Sequence, residues 1–219
     1  MITKDQFQEQ VTKARNSEPK KRKFQESFEL IMKLKDIDVK KTDLNINEVV
    51  FLPNRLSEAA KVCIFATGDT AIRAEKAGAD RVVEASELDI LASEKRRAKK
   101  LAREYQFFLS DTSLMPRIGR ILGPYLGPRG KMPSPIAPNA PLDSILGRYK
   151  SAVRFRSRGS LSVAGKIGDE SLDDAKVTEN ALAVISQIER KLPNGERNIH
   201  SLIVKKTMGH PAKARMVSE

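Results

Sequence analysis

The sequence predicts an α/β protein of two domains: a discontinuous α+β domain built from both chain ends, with an α/β domain inserted into it. Three observations support this. Between Lys61 and Asp111, apolar runs ("KVCIFA", "DRVVEAS", "QFFLSD") alternate with helix-compatible stretches, the pattern of parallel βαβ units. On either side of that region, alternating and amphipathic patterns mix without such a repeat. At 219 residues and 40% apolar content, the chain is long enough for one large domain or two small ones, each with a core. The predicted boundaries are 1–65 with 159–219 for the first domain and 66–158 for the inserted one. Two chain crossings of this kind make a hinge.

The opening stretch, Thr3 to Arg15, is helix-compatible, and Pro19 marks an interruption after it. The next segment, "KKRKFQESFELIMKLKDIDVKK", fits two patterns. Phe24, Phe28, Ile31 and Met32 have helical spacing, whereas Phe28, Leu30, Met32 and Leu34 alternate with Glu29, Lys33 and Lys35 as a strand would. "INEVVFLP" is a strand ended by Pro53. In the inserted region "KVCIFA" is a buried strand, followed by a helix that Thr67 or Asp69 caps and Gly78 ends. "EKRRAKKLAREY" is a second helix before the strand "QFFLSD".

From Thr112 to Leu142 there is no Asp or Glu, and seven of the eleven prolines fall between Pro116 and Pro141. Pro124, Pro128, Pro133 and Pro135 restrict the chain there, while Gly119, Gly123, Gly127 and Gly130 allow tight turns. Together they predict an ordered loop rather than a helix or central strand. Its charges are Arg117, Arg120, Arg129 and Lys131, so it would be a rigid cationic loop of the inserted domain. Beyond it, "DSILGRYKSA" is a short helix, and "AVRFRSRG" is a strand carrying Arg154, Arg156 and Arg158 on one face. "SLSVAGKIG" is a further strand, "VTENALAVISQIERKL" an amphipathic helix, and "NIHSLIVKK" a closing strand. "KKTMGHP" then reads as a strand end and a simple turn.

Forty Lys and Arg against 28 Asp and Glu give a net charge of +12, which suits nucleic acid, or less often an anionic membrane surface, as partner. No stretch approaches the roughly 18 to 20 apolar residues of a membrane span, and "MITKDQFQEQ" lacks the apolar region of a secretory signal. A cytoplasmic protein with no membrane partner is therefore expected. Cys63 is the one cysteine, which excludes an internal disulfide and a CxxC zinc site; in "KVCIFA" it is a small buried hydrophobe.

Catalytic signatures are absent from the sequence. His200 and His210 lack metal-ligand spacing, and the adjacent Asp173 and Asp174 at a helix start suit the helix dipole. "GPRGKM" matches a phosphate loop only in part, because Tyr125 stands where a Gly is needed and Met132 where a Ser or Thr is needed; no GxGxxG follows "KVCIFA". An enzyme for a phosphorylated substrate would use Arg129 and Lys131 as anion ligands, but no base or nucleophile accompanies them. A basic DNA-binding module would need a recognition helix that is not evident. The expectation is a binding protein without cofactor or metal.

Cations are more informative. Residues 20 to 23 form a four-cation run just ahead of Phe24, and RNA surfaces pair such charges with flat groups. Lys95, Arg96, Arg97, Lys99, Lys100 and Arg103 cover much of one helix, for which a solvated face is the simpler reading.

"MPRIGRILGPYLGPRGKMPSP" and "SLIVKKTMGHP" together resemble the family of large-subunit ribosomal protein one, the protein of the lateral ribosomal stalk beside the tRNA exit site. "KFQES" matches in the expected order, so the resemblance covers nearly the whole chain. The extra "YLGP" before "RGKMP" resembles the archaeal and eukaryotic branch, and the length resembles an archaeal member. Between Gly159 and Lys166 the chain departs from the bacterial pattern.

The resemblance implies a first domain formed by both chain ends and an inserted Rossmann-like domain. It implies a structural constituent of the large subunit that grips ribosomal RNA, a stalk that moves as deacylated tRNA leaves the exit site, and a monomer when free of the ribosome. Many members also bind a mimic of that site in their own messenger RNA and repress translation. The RNA-contact residues it implies are Lys23, Phe24 and Ser27, then Ser201, and Thr207, Met208 and Gly209, with Glu26 and Lys166 beside them. Phe24 and Met208 would form an apolar floor, Lys23 would meet phosphate, and Glu26 would accept from a ribose hydroxyl or a base amine. Arg117, Arg120, Arg129 and Lys131 would face a second RNA or the other domain.

Overall fold

The computed structural model of the protein describes residues 3–17, 22–37, 46–137, 140–157 and 159–215. In chain order the first elements are α1 (Lys4–Asn16), β1 (Ser27–Leu34), β2 (Asn47–Phe51), β3 (Val62–Phe65), α2 (Asp69–Lys76), β4 (Arg81–Val83), α3 (Ala85–Ser93) and α4 (Lys95–Glu104). They are followed by β5 (Phe107–Asp111), α5 (Met115–Leu126), β6 (Ser134–Ile136), α6 (Leu142–Lys150), β7 (Ala152–Arg156), β8 (Ser162–Asp169), α7 (Asp174–Glu189), β9 (Ile199–Lys206) and β10 (Ala212–Arg215). The chain divides into two compact units, Met1–Glu58 with Ala152–Glu219, and Ala59–Ser151.

These cut points differ from the expected 65/66 and 158/159, and strand pairing is the reason. β3 pairs in parallel with β4 and β5, so Val62–Phe65 belongs to the inserted unit. β7 pairs antiparallel with β2, so Ala152–Arg156 belongs to the first. An apolar run shows that a strand exists; its partners decide which unit holds it.

The first unit is a six-stranded sheet in the order β10-β9-β1-β8-β7-β2, antiparallel throughout. β1 settles the two-way pattern in favour of a strand, because Phe28, Leu30, Met32 and Leu34 are buried on the face that packs against α1 and α7. α1 begins with a capping box in which Thr3 and Gln6 bond reciprocally, and it buries Phe7, Val11 and Ala14. α7 buries Val177, Ala181, Val184 and Ile188 at helical spacing. Asp174, expected to serve the helix dipole, also ties the two helices together: it accepts from Arg15 Nε at 2.5 Å and from Thr12 Oγ1 at 2.7 Å. β10 was not evident in the sequence; its short, lysine-bearing run forms a strand only because the edge of β9 offers a partner.

The inserted unit is a four-stranded parallel sheet in the order β4-β3-β5-β6. Its central strands are buried on both faces, which is why they read as continuous apolar runs. Cys63, Phe65, Val83 and Phe108 pack with α3, α4 and α5, while Phe107 on the opposite parity meets Tyr149 of α6 edge to face at 5.5 Å. Burial pushes the Cys63 thiol far above its ordinary pKa, which agrees with a small core hydrophobe. α2 begins after Gly68, at φ +54°, rather than being capped by Thr67 or Asp69, and Gly78 closes it at φ +75°. α3, which the sequence pattern did not reveal, precedes α4 directly.

The Pro/Gly segment is not a loop over most of its length. Met115–Leu126 is a helix, and β6 is an edge strand containing Pro135. Pro116 lies in the first turn, where its missing N–H has no helical partner to lose. Pro124 gives up one bond in the last turn, at a cost of about 3 kcal/mol. Ile118, Leu122 and Leu126 repeat every four residues and are fully buried; at roughly 1.5 to 3 kcal/mol each, they outweigh it. Residues 127–130 then turn the chain, with Gly130 at φ +66°.

Candidate nucleic-acid interface

In the first unit, the segment entering β1 and the segment leaving β9 are stitched together although they are 180 residues apart. Thr207 N–H donates to the Ser27 carbonyl at 3.0 Å. The Thr207 hydroxyl accepts from Ser27 N–H at 3.1 Å and lies 3.3 Å from the Ser27 carbonyl, to which it donates. Met208 N–H donates to Glu26 Oε1 at 2.9 Å. The other Glu26 oxygen takes an ion pair from Lys206 at 3.2 Å, and Lys206 also reaches Glu170 at 3.1 Å. Glu26 and Glu170 close the circuit, with Glu26 N–H donating to the Glu170 carboxylate and Glu170 N–H to the Glu26 carbonyl, both at 3.1 Å.

Glu26 and Lys206 are buried, at 2% and 6% exposure, while Glu170 lies at the surface. Burial opposes the charge on Glu26, but the Met208 N–H and Lys206 outweigh it and hold the carboxyl below its ordinary pKa. Burial likewise opposes the Lys206 ammonium, and Glu170 and Glu26 reverse that effect, leaving its pKa raised. Above this charged base two large apolar side chains stand in solvent: Phe24 is 53% exposed and Met208 55% exposed. Lys23 is exposed beside Phe24. Gly209 folds back so closely that a Cβ there would lie 2.9 Å from Ser17 Oγ and 3.1 Å from Lys206 Cβ.

In the second unit, the four cations of the Pro/Gly segment separate into two kinds. Arg117 is ion-paired with Asp89, and Lys131 donates to the carbonyls of Ala102 at 3.0 Å and Tyr105 at 2.6 Å, at the end of α4. Both brace the unit. Arg120 and Arg129 are exposed.

A basic chain with this stitched apolar and cationic rim matches the family model for the Ribosomal protein L1p/L10e family over residues 13–210. The chain belongs to that family. It is 46% identical to the large ribosomal subunit protein uL1 of Cenarchaeum symbiosum over 97% of each chain. The same protein of Thermofilum pendens is 44% identical over 97% of this chain and 94% of the relative, and that of Archaeoglobus fulgidus 42% over 95% and 97%. The family resemblance and its archaeal character were thus legible in "GRILGP", "YLGP" and "KKTMGHP". As a member, the protein is a non-enzymatic ribosomal component of the cytoplasm. Among the described residues, no helix is long and apolar enough to cross a membrane.

The residues implied by the L1 resemblance are not all brought together. Lys23, Phe24, Ser27, Thr207, Met208 and Gly209 meet at one end of β1 and β9. Glu26 is there too, but both its oxygens are occupied and it is buried, so it holds Met208 in place rather than offering an acceptor to a ribose. Ser201 is 6% exposed and lies opposite Lys33 and Arg215, six residues along β9 from Thr207. Lys166 is half-buried on β8, opposite Glu29, which is itself opposite Lys205 on β9. Of the four-cation run, Lys20 and Lys21 lie outside the described residues, as does Arg158 of the three-arginine strand.

Other members of this site carried no sequence signal. Lys206 and Glu170 pair with Glu26 only because three strands converge, and Lys205 donates to the Thr207 carbonyl at 3.1 Å. Asp169 anchors the neighbouring loop, accepting from Ser57 N–H and Oγ at 2.8 Å each, from Ser171, and from Gln25 Nε2 at 3.3 Å. Burial acts to raise its pKa, and the Ser171 and Ser57 donors outweigh it, so the carboxyl stays below its ordinary value.

Proposed function

We propose that this ribosomal protein is a constituent of the large subunit that binds large-subunit ribosomal RNA through the rim of its first unit. One observation carries the reading: Met208, whose N–H is bound by the ion-paired Glu26, and Phe24, two residues before Glu26, are exposed large apolar side chains, with Lys23 beside Phe24. Exposed apolar groups fixed on rigid backbone suit packing against sugars and bases, while Lys23 takes phosphate. Thr207 and Ser27 fix the separation of the two segments, and Gly209 lets the turn after β9 fold tightly onto Ser17 and Lys206.

Binding, not catalysis, is the activity. Its affinity combines a salt-dependent phosphate contribution with a shape-dependent one from the apolar rim. The family resemblance supports a place on the lateral stalk, where the protein assists release of deacylated tRNA from the exit site. It equally supports recognition of a look-alike structure in the protein's own messenger RNA, with repression of translation, by a protein that is monomeric off the ribosome.

The test is equilibrium binding of the full chain to a structured large-subunit ribosomal RNA fragment, competed by an unrelated folded RNA of equal length. Binding that survives competition as salt is raised supports the reading. Equal displacement by either RNA contradicts it.

A further inference from the structure

We infer that the second unit carries a separate binding site for an unpaired RNA segment, formed by one face of α4 and the turn after α5. Arg96, Lys99, Lys100 and Arg103 are spaced i, i+3, i+4 and i+7, which places them in one stripe along α4. All four are exposed. Lys131, by donating to the carbonyls of Ala102 and Tyr105, pins the turn after α5 against the end of α4. That brings Arg129 to the stripe: Lys99, Arg103, Pro124, Tyr125, Pro128 and Arg129 line one cleft of about 280 Å³.

A solvated helix face does not account for this arrangement. Among the described residues, none of Arg96, Lys99, Lys100, Arg103 or Arg129 has an ion pair or side-chain hydrogen bond, whereas the neighbouring Arg97 pairs with Glu94 at 2.8 Å. Arg96 with Lys100, and Lys99 with Arg103, are like charges at i, i+4, and each pair weakens the helix. The first turn of α4 holds cations and no acid, against the helix dipole; Glu94 at the N-cap offsets this through Arg97 alone and leaves the stripe unpaired. A local rule broken without structural compensation points to a ligand.

The cleft identifies the ligand's chemistry. Three unpaired cations line the cleft, and Arg96 and Lys100 extend the charge along the stripe, where Glu104 is the one acid, so the surface suits a polyanion. Pro124, Pro128 and the half-buried Tyr125, which also packs on the unit's core, give the cleft an apolar side against which a base can lie. An acidic protein segment would use the charge but leave that side without a matching group. Stacking is open only where the base is unpaired, and stacking combined with phosphate contacts is tolerant of base identity, so the site takes RNA with little sequence preference. The site is independent of the interface on the first unit.

The chain has no tryptophan, so Tyr125→Trp in the full-length protein installs a single indole as reporter. Titration with an unstructured heptauridylate is expected to quench it saturably, and equally so when Met208→Asp is added. Replacing Lys99, Arg103 and Arg129 together by Gln should weaken that binding at least tenfold while leaving discrimination between ribosomal and unrelated folded RNA in place. In the unsubstituted protein, the amide resonances of Gly123, Gly127 and Gly130 should shift on adding the same oligonucleotide, which guards against a misfolded tryptophan variant. Absent quenching together with unshifted amides would overturn the site. So would loss of quenching with Met208→Asp, or equal displacement of the oligonucleotide by polyglutamate of matching charge.

Discussion

The two units use cations in opposite ways. In the first, Lys206 is a buried cation spent on Glu26 and Glu170, and through Glu26 it steadies the backbone that carries the exposed Met208. In the second, Arg96, Lys99, Lys100, Arg103 and Arg129 are exposed and unpaired, and local chain alone brings them together. The sheets set this difference. An antiparallel sheet gathers strand ends distant in sequence, so its rim is made of long-range pairs; a parallel α/β unit places consecutive helices side by side, so its surface is made of neighbours. The first arrangement suits shape-specific recognition and is fragile; the second suits charge attraction and tolerates loss.

The sharpest way to break the comparison is Glu26→Ala. It removes one partner of buried Lys206 and the acceptor of Met208 N–H, so the first unit should lose about 3 kcal/mol of stability in urea unfolding. RNA discrimination should fall with it, while the heptauridylate site in the second unit persists. A variant that unfolds at the wild-type urea concentration would show that the network holds nothing. Next in size, Met208→Asp should weaken the specific RNA by about 30-fold, the scale of a hot-spot contact, and unrelated RNA by far less. Gly209→Ala forces a Cβ against Ser17 Oγ, and should cost about 1 to 2 kcal/mol in thermal or urea unfolding.

Acid should separate the two regions. The lowered pKa values of Glu26 and Asp169 mean that their contribution is whole at neutral pH and is lost as pH falls below the ordinary carboxylate range, about 4. Discrimination between RNAs should therefore decay below that pH, whereas a surface of lysine and arginine keeps its charge. Binding measured from about pH 6 down to about pH 3 checks this, and parallel decay at both sites would contradict it. Smallest of all, Lys100→Gln should lower the slope of log affinity against log salt for unpaired RNA by about 0.7 and leave stability unchanged.

Much of this was legible in the sequence, and unevenly so. The βαβ alternation from Lys61 to Asp111 declared itself because strands buried on both faces are apolar at every position. Met115–Leu126 misled because its prolines and glycines mask its apolar signals, yet Ile118, Leu122 and Leu126 kept a four-residue repeat that decides the matter once buried. The family resemblance marked Thr207, Met208 and Gly209, but nothing in a linear reading joins Glu26 to Lys206 and Glu170, since only strand register brings them together. It also made an RNA contact of Glu26, whose burial gives it a supporting role. On α4 the cations were plain in the sequence, and only the end of α5 with Tyr125 and the fixed turn bearing Arg129 make them part of a cleft.

The most direct measurement of the central claim is a salt titration of the Met208→Asp protein against a structured large-subunit ribosomal RNA fragment and an unrelated folded RNA. Specific recognition held on the first unit's rim predicts that the variant binds both RNAs alike, with a salt slope close to that of the unsubstituted protein. Retained preference for the ribosomal fragment, at any salt, would contradict it and place the specific contact elsewhere.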